Sequence, residues 1–165
     1  MNIFYKLFIF TLALKNLEAS CISSKTYDLT FYIESSTSNI LTCDGRSPVN
    51  AALTWPINGP PILVSIWDVP TNEYAYHCTM TEYFFIPAAA VSVLIDTFAD
   101  NFITMKLNDV DVSVIAYSDL TFQLNKEAIS YVVPGLNKLY IDVYNSAGPG
   151  YFGFRIKIEA KFGVS

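Results

Sequence analysis

The chain has 165 residues, of which 52% are hydrophobic and only 15% charged, and it carries 12 Phe, 11 Tyr and a net charge of −5. An acidic balance argues against nucleic acid as a partner, because binding along a phosphate backbone depends on clustered Lys and Arg. The length suits one domain with one core, nothing repeats at a solenoid or propeller period, and abundant aromatics with few charges suit a β-sandwich.

Taken in order, Met1 to Ala19 reads as a signal peptide. Lys6 marks the basic start, Leu7 to Leu14 the apolar centre, and Ala19 a cleavage site before Ser20. The run is too short to span a bilayer and Lys15 interrupts it; no later stretch is long and apolar enough, so no transmembrane segment is expected. The expected product is secreted. A lipid anchor at Cys21 is the rival reading, and Glu18 three residues before it fits a lipidation signal poorly.

Residues 20–49 are rich in Ser, Thr and Asn and read as a loop-rich extension ahead of a sandwich domain over 50–165. Within that extension, Tyr27 to Ile33 either joins the sandwich as an edge strand or lies over it. The cysteines are Cys21, Cys43 and Cys78, an odd number. Cys21 and Cys43 flank the strand-like Tyr27–Ile33 run, so a Cys21–Cys43 bridge is expected, with Cys78 left as a small buried residue. Zinc is not expected, since no Cys pair has ligand spacing and the chain has one His.

Asn58-Gly59-Pro60-Pro61 marks a turn before the apolar run Ile62 to Trp67; a loop follows from Asp68 to Glu73, then a long strand from Tyr74 to Ile86. Val91, Val93 and Ile95, and then Ile103, Met105 and Leu107, recur at the period of two that half-buried strands show. Asn108-Asp109 supplies a tight turn, Pro134-Gly135 another, and Ser146 to Gly150 a third between Leu139–Asn145 and Tyr151–Ile156. The fold class is therefore all-β, an antiparallel sandwich. Ile95, Ile103, Met105, Leu107, Leu139, Ile141, Val143, Phe154 and Ile156 are predicted to face inward, and no helix longer than a turn is signalled.

Ala99-Asp100-Asn101, Asn108, Pro134-Gly135-Leu136-Asn137, Asn145 and Gly148-Pro149 fall in an order that resembles the galactose-binding-like (jelly-roll) family of extracellular accessory domains. Leu53 to Ile57 and Ile66-Trp67 resemble its N-terminal half, so the resemblance spans about residues 50 to 162. Asp109 departs from the Gly that the family prefers. The resemblance implies a jelly-roll sandwich and, by analogy, a carbohydrate-binding or adhesion module.

For catalysis, His77 is the lone imidazole, set mid-strand, and no Gly-x-Ser-x-Gly elbow accompanies it. A surface or inter-strand role is expected for it, and no enzyme activity. Asp96, Asp100, Asp109 and Asp111 match no calcium-loop spacing and are explained by turn chemistry; no cofactor is expected, with a loop-stiffening calcium left open. Sugar recognition needs an aromatic face for the C–H side of the ring and planar amides or carboxylates for its hydroxyls. Trp67, Asp68, Asn72, Asn101, Asn145 and Tyr151 are the candidates, with the site at the sandwich end where the 68–73 and 145–150 loops meet. Two readings stand: a secreted, non-catalytic module that binds a glycan on a surface or matrix, and a self-associating structural subunit of an extracellular layer, coat or filament.

Overall fold

A computed structural model describes residues 25–54, 63–71, 74–116 and 121–164. Residues 28–162 form one compact unit; the first residues of β1 and the end of β12 fall in a second. Twelve strands are assigned: β1 (Lys25–Glu34), β2 (Ile40–Cys43), β3 (Val49–Asn50), β4 (Ala52–Leu53), β5 (Ile66–Trp67), β6 (Tyr76–Ile86), β7 (Ala90–Asp100), β8 (Phe102–Leu107), β9 (Val110–Asp111), β10 (Gln123–Glu127), β11 (Gly135–Asn145) and β12 (Tyr151–Val164). The described helical structure is a single 3-10 turn at Ile129–Tyr131.

The protein is an antiparallel β-sandwich. One sheet runs β10-β7-β12-β5-β4, with β1 also paired to β12; the other runs β3-β2-β6-β11-β8-β9. From β6 onward the chain alternates between the sheets, with β6, β8–β9 and β11 in one and β7, β10 and β12 in the other, so every connection except the β8–β9 hairpin crosses from one layer to the other. All nine residues predicted to face inward are buried. The two-residue Asn108-Asp109 turn joins β8 to β9 with φ of 53° and 65°. Those left-handed angles match the twist of a hairpin, and Asn and Asp are among the side chains that adopt them at least cost.

The structure corrects the N-terminal boundary. Within the expected extension over residues 20–49 the described part carries strands: β1 pairs with β12, the first of the two readings of Tyr27–Ile33, and β2 sits inside the second sheet between β3 and β6. Leu41 and Cys43 of β2 are buried, whereas Ile40 and Thr42 are exposed. A four-residue strand is too short for its alternation to stand out from a Ser- and Thr-rich background. β10 was likewise illegible, because Gln123-Leu124-Asn125-Lys126-Glu127 is polar and breaks register between Gln123 and Lys126.

The expected cysteine pairing is also corrected. Cys43 and Cys78 lie directly opposite each other across β2 and β6, with a Cα separation of 4.0 Å, and they form the disulfide. Cys78 is therefore not the odd thiol, and Cys21 lies outside the described residues. Order along the chain suggested the nearer pair; only strand register reveals the one across the sheet.

The two outer faces differ. Over part of the first sheet, residues 63–65 cross Gly153, where an added Cβ would come within 2.7 Å of Phe98 Cε1 and 2.9 Å of the Val64 carbonyl oxygen. Only a residue without a side chain allows that approach. Phe98 and Asp96, on the outward phase of β7, are buried, and Phe98 packs against Phe122 at 5.1 Å. The outer face of the second sheet, by contrast, presents half-buried and exposed side chains along β6, β8 and β11.

Candidate functional site

The candidates read from the sequence divide into internal residues and rim residues. Trp67 is 0% exposed; its Nε1–H donates to the Tyr76 hydroxyl at 2.8 Å and its ring meets Phe152 edge-on at 6.1 Å. Asp68 is buried beside it and accepts from the Tyr76 hydroxyl and the Arg46 guanidinium. Asn145 is 0% exposed, and its Nδ2 donates to the carbonyls of Tyr74 and Gly148 at 3.0 and 2.8 Å. These three hold the sandwich end together, and burial removes them as ligand contacts. Asn72 lies outside the described residues.

Asn101 and Tyr151 stay at the surface, half-buried. The Asn101 side-chain oxygen accepts from both the backbone N–H and the hydroxyl of Ser146, each at 2.6 Å, which pins the 146–150 loop to the start of β8. Tyr151 opens β12 opposite Asp100, with its ring 6.3 Å from Phe98.

The internal network is a small polar island. Burial, and then its hydrogen bond to Asp68, push the Tyr76 phenol up to about 12. The bond to Asp68 likewise raises Arg46, whose guanidinium carbon lies 4.4 Å from the Tyr76 ring centre. The Cys43 and Cys78 sulfurs and an Asp68 oxygen lie within 4.8 Å of one another. Because the sulfurs are bonded to each other, they are not thiolate ligands and this cluster is not a metal centre. Asp96, Asp109 and Asp111 do not converge either: they face Arg155 at 2.8 Å, Lys138 at 2.7 Å and Lys106 at 3.4 Å respectively.

The feature the sequence reading passed over lies on the open face of the second sheet. Register places His77, Tyr144 and Phe102 side by side on β6, β11 and β8. The His77 and Tyr144 rings stack with centres 4.5 Å apart and planes 30° apart; Tyr144 and Phe102 lie 6.2 Å apart and nearly parallel, at 5°. Beside this row runs a polar one, Thr79, Asp142 and Thr104. Asp142 Oδ1 lies 3.2 Å from His77 Nδ1, with half of the His77 side chain and 36% of the Asp142 side chain exposed. Asp44 reaches the same end of β6, accepting from the His77 backbone N–H at 3.2 Å.

Two rows from the rings stands Tyr140, opposite Thr81 and Lys106. Burial, and then the Asp142 charge, raise its phenol, so the group remains a neutral hydroxyl that can both donate and accept. A sequence signal for this surface exists. In β6, β8 and β11 the apolar phase points inward, so Tyr83, Phe85, Phe102, Tyr140 and Tyr144 are aromatics on the phase that faces solvent.

No family model matches the chain, and no curated protein matches it. Among solved structures, TmCBM61 in complex with β-1,4-galactotriose is similar at 12% identity, with a TM-score of 0.32, over 81% of this chain and 87% of that one. A likeness that distant says nothing about the ligand of this chain.

Proposed function

We propose that the protein is a non-catalytic carbohydrate-binding or adhesion module of the galactose-binding-like type that works outside the cell. We place its site on the His77–Tyr144–Phe102 row, with Asp142, Thr79 and Thr104 beside it and Asn101, whose backbone N–H donates to the Tyr144 carbonyl, at its end. One observation carries the reading: three aligned rings on an open antiparallel face next to a row of hydroxyls and a carboxylate. Apolar ring surface suits the C–H side of a sugar, and Asp142 with its threonine neighbours suits the hydroxyls. The cross-strand disulfide fits an oxidising compartment, and among the described residues no helix is long and apolar enough to cross a membrane.

Affinity at one such site should be weak, on the order of micromolar to millimolar, because each hydrogen bond replaces one to water. Glycan-array retention of the wild-type chain, beside Tyr144→Ala and Asp142→Asn, tests the reading. Both variants should lose retention while unfolding within a few degrees of wild type. Retention unchanged in both would remove the row from the site. The second reading, a self-associating structural subunit, is favoured by Phe85 and Leu136, cross-strand partners 63% and 64% exposed on the same face. Light scattering separates the two: polymers that grow with concentration and bind no glycan belong to the second.

A further inference from the structure

We infer that the ligand is an uncharged chain of several sugar units laid along β11, rather than a single terminal sugar or an acidic polysaccharide. The inference rests on the reading of the ring row as a sugar site and adds to it the length and charge of the ligand.

Length follows from the outward phase of β11, which carries Tyr144, Asp142, Tyr140, Lys138 and Leu136. At about 3.4 Å per residue, these eight steps span roughly 27 Å. β6 pairs with all eleven residues of β11, so the face continues beside it without a break. Along this stripe ring surface and polar groups alternate: the ring row, the Thr79–Asp142–Thr104 row, Tyr140 with Thr81, then Lys138 with Tyr83. A glycan chain alternates in the same way, with apolar C–H patches between hydroxyl clusters. A protein partner would favour an apolar centre with a polar rim, and the centre of this face is Asp142 and Tyr140.

Charge follows from the lysines. Lys106 is held by Asp111 and Lys138 by Asp109, so each lysine on this face already faces a carboxylate. Asp44 and Asp142 stand at the ring row. Sulfate or uronate groups would meet neutralised cations and two carboxylates, on a chain whose net charge is −5.

The test is calorimetry on the whole chain with neutral gluco-, galacto-, manno- and xylo-oligosaccharide ladders from monosaccharide to hexasaccharide, and with a sulfated and a uronic-acid ladder. A neutral ladder should bind about tenfold tighter at hexasaccharide than at disaccharide. Tyr140→Ala should erase that gain without changing disaccharide binding, and Tyr140→Phe, which keeps the ring, should restore most of it. Equal affinity along the ladder, or no effect of Tyr140→Ala in a folded variant, overturns the extended site and leaves the ring-row reading standing. Preference for an acidic ladder, weakening with salt, overturns the charge assignment. Binding to no ladder overturns both readings, and dimers abolished by Leu136→Ser would then give the face to a second copy of this chain.

Discussion

Tyr76 shows how one hydroxyl can decide which neighbours are available to a ligand. Its oxygen accepts from Trp67 and its proton goes to Asp68, so the two residues best suited on paper to hold a sugar are both spent on Tyr76. Tyr76→Phe would orphan a buried indole N–H and leave Asp68, among the described residues, with Arg46 as its side-chain partner; urea unfolding should show a loss of about 3 kcal/mol. Glu82 offers a test of opposite sign. It lies on the inward phase of β6, where burial raises its carboxyl despite the 2.9 Å bond from Asn39 Nδ2. A raised carboxyl favours the fold when protonated, so its contribution is full below the unfolded carboxylate value and is lost as pH climbs through the raised one. Glu82→Gln keeps an acceptor for Asn39 and removes the charge. Its melting temperature should exceed that of the wild type at pH 7, and the gap should close near pH 3; a variant less stable at both would show that the carboxylate itself is needed.

At the scale of elements, β2 is the short strand with the largest consequence. It is stitched to β6 by the Cys43–Cys78 disulfide, which closes a loop with a sequence separation of 35. Chain-entropy arguments give about 4 kcal/mol for a loop of that size. The Cys43→Ala, Cys78→Ala double variant should lose stability on that order, and reductant should destabilise the wild type but not the variant. The asparagines that carry the family resemblance also work at this scale. Asn108 Nδ2 donates to Asn137 Oδ1 and to the Tyr131 carbonyl, and Asn137 donates to Val133 and Gly135. They tie the β8–β9 hairpin to the entry of β11. In the chain the pattern suggested ligand loops as readily as stitching; in the structure four of its asparagines, 101, 108, 137 and 145, are bonded to other parts of the fold.

For the whole molecule, the deciding property is which outer face is open. Residues 63–65, Phe98 and Phe122 cover part of the first sheet, while the second keeps its outward row of rings accessible. With a net charge of −5 and the lysines of that face paired, binding of a neutral glycan should owe little to long-range attraction. Affinity measured by calorimetry should change less than about twofold between 0.05 and 0.5 M salt, because exposed charges contribute little once screened. A fall proportional to salt would reveal an electrostatic ligand and contradict the neutral-chain reading.

The sequence by itself determined the layers and their facing. Strict alternation in Ile103–Leu107 and Leu139–Val143 leaves one register in which every apolar side chain is buried, and turn residues such as Asn108-Asp109 mark where strands reverse. It also held the signal of the open face, in aromatics placed on the solvent phase. What it could not determine were relations between strands far apart in the chain. Whether Cys43 meets Cys21 or Cys78, whether Trp67 looks outward or into Tyr76, and whether Tyr144 stands beside His77 and Phe102 all depend on cross-strand register. Register is set by packing between the layers, a property of the assembled sandwich that no single stretch of chain contains.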